Sequence, residues 1–218
     1  MPRNMAPATI ASHRDLVQYW VSDASPVNEA APKGYIERFI HSEIYREHTD
    51  VNSVIHSHSL GVLPFANSRH STPVFDISKY YGPDDTRDLL IRNADLGQQL
   101  ASYFSVDRDV REESIQRQVP YAVVLMRGHG FTAVASTIQE CVFRAIYTQE
   151  NAVVQTKAIE LSAAYSQMTG DSAKVYYLCE DEIDPAAAMN NAVWDRAWGL
   201  WLRQIATEKL YIHEKPHA

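Results

Sequence analysis

The chain has 218 residues, 45% hydrophobic and 22% charged, which is enough for one globular domain with a sizeable core. Its formal net charge of −7 and its lack of Lys/Arg runs argue against nucleic acid or an anionic membrane surface as the main partner. Two cysteines, Cys141 and Cys179, are too few for a disulfide framework. No stretch reaches the ~20 apolar residues of a membrane span, and no secretory signal is evident, so we expect a cytoplasmic protein.

The first half of the chain predicts alternating strands and helices. We expect a short strand at Leu16–Val21 and then a polar, Pro-rich loop at Ser22–Gly34. The stretch YIERFIHSEIYREH predicts an amphipathic helix, NSVIHS a buried strand, SLGVLPFANS a helix and TPVFDIS a strand. After the turn-rich loop KYYGPDD, TRDLLIRNADLGQQLASYF predicts another helix, with Leu89 among its apolar positions.

The second half continues the alternation. YAVVLMRGHGFTAVA predicts two strands joined at a tight turn. The longest helical pattern follows, and Thr137 with Glu140 three residues later fits a capping box at its start. A last helix carries WDRAWGLWLRQIATEKL, whose Trp194, Trp198 and Trp201 share one face that either packs on the chain's own core or forms an interface. The alternation predicts the α/β class around one central sheet.

Histidines mark the strand NSVIHS and the turn RGHG. His56 and His58 are two residues apart, so a strand places both imidazoles on one face, a half-site for a divalent metal. Buried, hydrogen-bonded histidines are the alternative. His129 lies between Gly128 and Gly130, where small neighbours allow a turn and a close approach of a ligand. Three histidines leave a fourth position open, as in catalytic metal sites.

One helix adds two further candidates. Glu37 is a candidate carboxylate, either as a ligand or as a general base, with a solvated helix residue as the alternative. His41, four residues later, is a candidate for orienting a ligand.

The segment ERFIHSEIYREHTDVNSVIHSHS, followed later by LMRGHGF, resembles the class II aldolase/adducin family over roughly residues 3–165. The resemblance implies an α/β three-layer fold, with a central mostly antiparallel sheet flanked by helices, and one domain over residues 1–218. It implies His56, His58 and His129 as metal ligands and Glu37 as the acid/base. It also implies one divalent ion (Zn, Mn, Fe or Co) and a homotetramer with active sites at subunit contacts.

Several positions depart from the family's aldolases. Tyr35 and Ile36 stand where those enzymes place small hydroxyl residues that hold a substrate phosphate, and a neutral patch is a poor phosphate site. Their catalytic tyrosine aligns with Ile77. The chain also starts at MPRNMAP, downstream of a Gly-Asn/His-x-Ser loop that lines the family's pocket, so we expect the N-terminal helices and this loop to be missing. Aldol chemistry on a sugar phosphate is disfavoured.

The stretches RNMAP, ERFIHSEIY, HSHS, LMRGHGF and FRAIYTQENA are similar to a decarboxylase-like branch of the family. Its members act on hydroxylated aromatic dicarboxylates. Decarboxylation and retro-aldol cleavage both break a C–C bond and place charge on an oxygen that a Lewis acid stabilises. Arg127 and Arg3 are candidates for binding a substrate carboxylate, with surface ion pairs as the alternative. Tyr81 and its neighbour Tyr80 are candidates for reaching the site from their loop.

These features favour a metal-dependent lyase that decarboxylates a hydroxylated aromatic or related hydroxy acid, its metal stabilising the developing oxyanion. A metal-dependent aldolase or dehydratase on a small hydroxy-carbonyl compound is the first alternative. A non-catalytic, adducin-like interaction module is the second, although adducins generally lack these ligands.

Overall fold

The structure is a computed structural model that describes residues 5–32, 34–68, 72–105 and 121–212. Arg3 lies outside these residues. Within them, no helix combines the length and apolar character that crossing a membrane requires.

A four-stranded sheet forms the centre of the molecule, with strand order β1-β4-β3-β2. Its strands are β1 (Ser53–Ser57), β2 (Val74–Phe75), β3 (Val123–Met126) and β4 (Gly130–Ala135). The pairs β1–β4 and β3–β4 are antiparallel, and the short β2 pairs with β3 in parallel. The predicted strands at NSVIHS and on both sides of RGHG are confirmed, and β2 is shorter than TPVFDIS predicted because a 3-10 helix begins at Ile77.

Helices cover both faces of this sheet. On one face α1 (Arg38–Glu47) and α3 (Ala94–Ser102) pack together over a core that includes Ile40, Leu100 and Val124. On the other face α2 (Leu63–Ala66) and α4 (Ile138–Thr169) pack over a second core that includes Leu125 and Phe131. Because Val124 and Leu125 are adjacent in β3, their side chains point to opposite faces and fill the two cores. The predicted three-layer α/β class is confirmed.

Two further predictions for the chain's first half differ more from the structure. Leu16–Val21 is not a strand, since its residues form isolated bridges rather than a ladder, among them the bridge from Tyr19 to Pro26. The helix predicted from Thr86 begins only at Ala94, where the Asn93 side chain accepts the backbone N–H of Leu96 as an N-cap. Leu89 has φ 69° and therefore cannot be helical. Apolar spacing alone placed this loop in a helix.

The C-terminal part is helical. Thr137 caps α4 by accepting the Glu140 backbone N–H, but Glu140 contacts Ser136 and Arg144, so the cap is made by Thr137 without the predicted box. A helix that the sequence did not predict, α5 (Glu180–Asn191), precedes α6 (Trp194–Thr207). The ring of Trp201 on α6 lies 6.3 Å from that of Phe143 on α4, so this tryptophan packs on its own chain.

Candidate active site

Strand β1 and the residue after it position two of the candidate histidines. His56 pairs with Thr132 in the β1–β4 ladder, and His58 follows the end of β1. The two Nε2 atoms are 2.8 Å apart, which confirms the predicted shared face. The His56 side chain is 10% exposed and that of His58 is 58% exposed, so the site opens to solvent on the His58 side.

A tight turn between β3 and β4 positions His129. Its backbone N–H donates to the carbonyl of Met126 at 3.0 Å, and Gly128 within the turn has φ 66°. Gly130 has φ 153°, and a Cβ atom there would lie 2.0 Å from the Ser57 carbonyl oxygen. The two glycines thus let the turn close and let β4 start directly against the end of β1, which brings His129 to the other histidines.

Glu37 completes the group from the residue just before α1. Its carboxylate lies 3.5 Å from His129 Nε2, 3.7 Å from His56 Nε2 and 3.8 Å from His58 Nε2. One donor atom from each of the four residues lies within 4.8 Å of the other three. The fold therefore brings Glu37 and His129 together, although they are 92 positions apart in the chain. We call these four residues the Glu37–His cluster.

Burial shifts the protonation of this cluster. It raises the pKa of Glu37 from 4.5 to about 7, with smaller opposing effects from the Ile91 backbone N–H and Arg92. Burial and the neighbouring His58 lower the pKa of His129 to about 4. Burial and the surrounding histidines also lower the pKa of His56 well below its usual value. At neutral pH both of these imidazoles are uncharged, which is the form that binds metal ions.

Hydrogen bonding fixes the orientation of His56. Its Nδ1 lies 3.1 Å from the Phe131 carbonyl oxygen, which can only accept, so Nδ1 carries the proton and Nε2 presents its lone pair to the cluster. Both ring nitrogens of His129 are buried, and among the described residues neither makes a hydrogen bond of normal geometry, although the Leu89 backbone acts on the ring and favours its protonated form. Three imidazoles and one carboxyl group, whose donor atoms converge and include the buried nitrogens of His129, fit a divalent metal ion that these residues would hold.

The predicted substrate-binding residues lie in different settings. Arg127 precedes the His129 turn, but its Nε donates to Asp76 Oδ1 at 2.6 Å, so at least this part of the guanidinium is engaged. The hydroxyl of Tyr81 accepts the backbone N–H of Leu89 at 2.9 Å. Tyr80 bonds the Tyr103 hydroxyl instead. Arg3 lies outside the described residues.

His41 takes another role than the one predicted. Among the described residues it makes no hydrogen bond to the Glu37–His cluster, and it acts on His56 electrostatically, by lowering its pKa. It lines a cavity of about 1070 Å³ between α1 and the N-terminal segment. Tyr19, Trp20 and Arg38 line the same cavity. Burial lowers the pKa of His41 to about 4. None of the four cluster residues lines this cavity.

Sequence reasoning missed the loop before α3. The backbone N–H of Ile91 lies 3.4 Å from Glu37 Oε1, and Asp88 and Arg92 both act on the Glu37 carboxyl electrostatically. The stretch TRDLLIRN carried no signal for this role, because the contact is made by a backbone group. The left-handed conformation of Leu89 is likewise invisible in the sequence, since leucine is a residue that disfavours it.

The sequence matches one protein family and two characterised decarboxylases. Residues 2–156 match the class II aldolase and adducin N-terminal domain. Decarboxylase tropJ of Talaromyces stipitatus is 48% identical over 225 residues, covering 97% of this chain and 82% of that protein. The 3,4-dihydroxyphthalate decarboxylase of Arthrobacter keyseri is 28% identical over 117 residues, which cover 49% of this chain and 41% of that protein.

Solved structures share the fold. YgbL from Klebsiella pneumoniae superposes with a TM-score of 0.50 at 14% identity, covering 77% of this chain and 70% of that one. An aldolase II superfamily protein from Pseudomonas syringae gives a TM-score of 0.53 at 15% identity, covering 89% and 72% of the two chains. At such identities the likeness concerns the fold alone. The match over residues 2–156 and the 48% identity to decarboxylase tropJ show that the chain belongs to the class II aldolase and adducin family and is an enzyme, a lyase.

Proposed function

We propose that this chain is a divalent-metal-dependent decarboxylase of a hydroxylated aromatic acid or a related hydroxy acid. The observation that carries the proposal is the convergence of Glu37, His56, His58 and His129, whose donor atoms lie within 4.8 Å of one another. The 48% identity to decarboxylase tropJ supports the choice of decarboxylation within the family.

In this proposal His56, His58 and His129 hold the ion, with Glu37 as a further ligand that can leave it. A divalent ion bound there supplies Lewis acidity that stabilises negative charge on a substrate oxygen as the C–C bond breaks. The Nδ1–H bond from His56 to Phe131 keeps its Nε2 aimed into the site. The exposed side of His58 is where substrate reaches the cluster.

Glu37 handles the proton. When a carboxylate leaves as CO2, the carbon that carried it must take up one proton. In the metal-free protein burial raises the pKa of the Glu37 carboxyl to about 7, so this group can take up and release a proton near neutral pH when it is not bound to the ion. The Ile91 backbone N–H and the buried surroundings hold this side chain at the edge of the site.

Aldol chemistry is less well supported. Ile77, the position that aligns with the catalytic tyrosine of the family's aldolases, is 3% exposed and belongs to the core. A buried isoleucine offers no proton donor. Arg127 remains our candidate for binding a substrate carboxylate, because 42% of its side chain is exposed even with Asp76 bound.

The test is to load the protein with Mn²⁺, Fe²⁺, Zn²⁺ or Co²⁺ and to measure CO2 release from a panel of ortho-hydroxy aromatic acids. The proposal expects CO2 from at least one acid, and loss of activity in Glu37→Gln. Release of pyruvate or an aldehyde without CO2 would point to an aldolase or dehydratase. Tight metal binding without any turnover would point to an interaction module.

We also propose that the chain assembles with itself, as the family resemblance implies. Its C-terminal helical region carries large exposed apolar side chains, including Leu161 (70%), Met168 (86%) and Tyr176 (92%). Soluble monomers rarely expose many such side chains together. Light scattering after size-exclusion chromatography tests the predicted tetramer.

The single domain over residues 1–218 stays a prediction.

A further inference from the structure

The loop of residues 81–93 lies beside the Glu37–His cluster in a conformation that its sequence disfavours. Leu89 has φ 69°, a left-handed backbone that a residue with a branched side chain adopts only when its surroundings impose it. Such backbone outliers are concentrated at functional sites. The question is which contacts hold Leu89 there, and what that conformation does.

The Tyr81 side chain makes a hydrogen bond directly to Leu89. The backbone N–H of Leu89 donates to the Tyr81 hydroxyl at 2.9 Å. The Tyr81 ring itself packs against the core, and the Arg87 guanidinium lies 5.8 Å from its centroid. Because its ring is held by the core, the Tyr81 hydroxyl can fix the position of Leu89 in the loop. A second contact, the ion pair between Asp88 and Arg92, closes the loop on itself at the solvent side.

The held loop contributes backbone groups to the cluster. Two residues after Leu89, the Ile91 backbone N–H lies 3.4 Å from Glu37 Oε1, while the Ile91 side chain is fully buried in the core. The Leu89 side chain lies against the His129 turn, since a Cβ atom on Gly128 would be 3.2 Å from its Cδ1 atom. The loop thus contacts Glu37 on one side and the His129 turn on the other.

We propose that Tyr81 is a positioning residue, whose hydroxyl holds Leu89 in its left-handed conformation and thereby places the Ile91 N–H on Glu37 and the loop against the His129 turn. The sequence suggested that Tyr81 binds substrate, and this inference assigns its hydroxyl to the protein backbone instead. It rests on the proposed function only for its activity and metal-affinity readouts. No contact between Tyr81 and the substrate is required.

The test begins with Tyr81→Phe, which removes one oxygen atom. We expect kcat to fall about 10-fold with KM little changed, and the affinity for Co²⁺ to weaken several-fold, as for the loss of a partner that orients a metal ligand. Tyr80→Phe is the matched control, because the neighbouring hydroxyl bonds Tyr103 rather than the loop. It should leave kcat, KM and Co²⁺ affinity unchanged.

A rescue distinguishes positioning from substrate contact. Glycine adopts a positive φ without penalty, so adding Leu89→Gly to Tyr81→Phe should restore part of the lost kcat and Co²⁺ affinity, although it removes the Leu89 side chain from the His129 turn. Leu89→Val tests the backbone conformation while the Tyr81 hydroxyl stays in place, since a β-branched residue strongly disfavours positive φ. If Tyr81→Phe raises KM alone, keeps its Co²⁺ affinity and is not rescued by Leu89→Gly, the proposal is overturned.

A structural readout separates this inference from the proposed function. Amide hydrogen exchange at Leu89 and Ile91, measured on metal-free protein, should be faster in Tyr81→Phe and unchanged in Tyr80→Phe. That result supports the inference even if the wild type releases no CO2 and binds no Co²⁺, which would refute the proposed function. Unchanged exchange at both amides in Tyr81→Phe would refute the inference whatever the enzyme does.

Discussion

The Nδ1 atom of His56 donates its proton to the carbonyl oxygen of Phe131 across the β1–β4 ladder, at 3.1 Å. A backbone carbonyl cannot donate in return, so this single bond decides which nitrogen of the imidazole faces Glu37 and the other histidines. The sheet register that pairs β1 with β4 is therefore also what orients a candidate metal ligand.

The first prediction concerns metal content. A double variant, His56→Ala with His58→Ala, removes two of the four donors and should lose the bound ion, because the remaining pair is a poor site for a divalent metal. Elemental analysis should find near one divalent ion per wild-type chain after loading and close to none in the variant. His13→Ala is a suitable control, since His13 is exposed and outside the cluster. Equal metal in wild type and double variant would contradict the site.

The second prediction concerns Glu37 and stability without metal. The folded-state pKa of about 7 lies above 4.5, so the folded protein binds the extra proton between these values and its stability falls as pH rises from 4.5 to 7. Glu37→Gln lacks this dependence. We therefore compare the free energy of unfolding of the wild type with that of Glu37→Gln, both in EDTA. The difference should fall by at most about 3 kcal/mol between pH 4.5 and 7, because one pKa unit corresponds to about 1.4 kcal/mol.

Urea unfolding at pH 4.5, 6 and 8 would measure that difference. Histidines outside the Glu37–His cluster are common to both proteins and cancel in the comparison. A difference that stays constant with pH would show that Glu37 is ionised in the metal-free fold and that its surroundings are more polar than the structure indicates.

The third prediction concerns the turn that carries His129. Gly130→Ala adds a Cβ atom 2.0 Å from the Ser57 carbonyl oxygen at φ 153°, so β4 must move away from β1. We expect a loss of several kcal/mol of stability, as for other severe clashes in a core. Gly199→Ala on α6 is the control, because nothing lies within 4 Å of its added Cβ, and it should stabilise by up to about 1 kcal/mol.

Thermal unfolding compares the two glycine variants. Metal binding should fail in Gly130→Ala even where the protein still folds, because the shift separates His129 from His56 and His58. A Gly130→Ala protein with wild-type melting temperature and wild-type metal content would contradict the close approach described here.

The fourth prediction concerns Arg127. If its guanidinium binds a substrate carboxylate, Arg127→Gln should raise KM by about 10-fold or more, since a charged hydrogen bond is lost, and leave metal content unchanged. Steady-state kinetics with the active acid would measure this. Asp76→Asn tests the partner that holds Arg127 Nε at 2.6 Å, and a smaller rise in KM is expected because the cation remains. No change in KM in either variant would leave Arg127 with only its ion pair to Asp76.

Much of the site was accessible from sequence. The His-x-His spacing predicted a shared face, Gly-His-Gly predicted a turn between strands, and the amphipathic pattern after Gly34 predicted a helix that includes Glu37. The shared face and the turn are confirmed, and the helix forms with Glu37 as its N-cap residue rather than within it. These are short-range relations, and a strand or helix determines by its own geometry which neighbours share a face. That the three meet was expected only from the family resemblance.

Other features were decided by the tertiary structure. The raised pKa of Glu37, the tautomer of His56 and the contact of Arg127 with Asp76 depend on burial and on partners more than 50 residues away. The left-handed Leu89 contradicts its own local preference and was predicted to be helical. Sequence patterns report on preferences within a few residues, whereas desolvation, hydrogen-bond partners and imposed backbone conformations arise only when distant segments pack together.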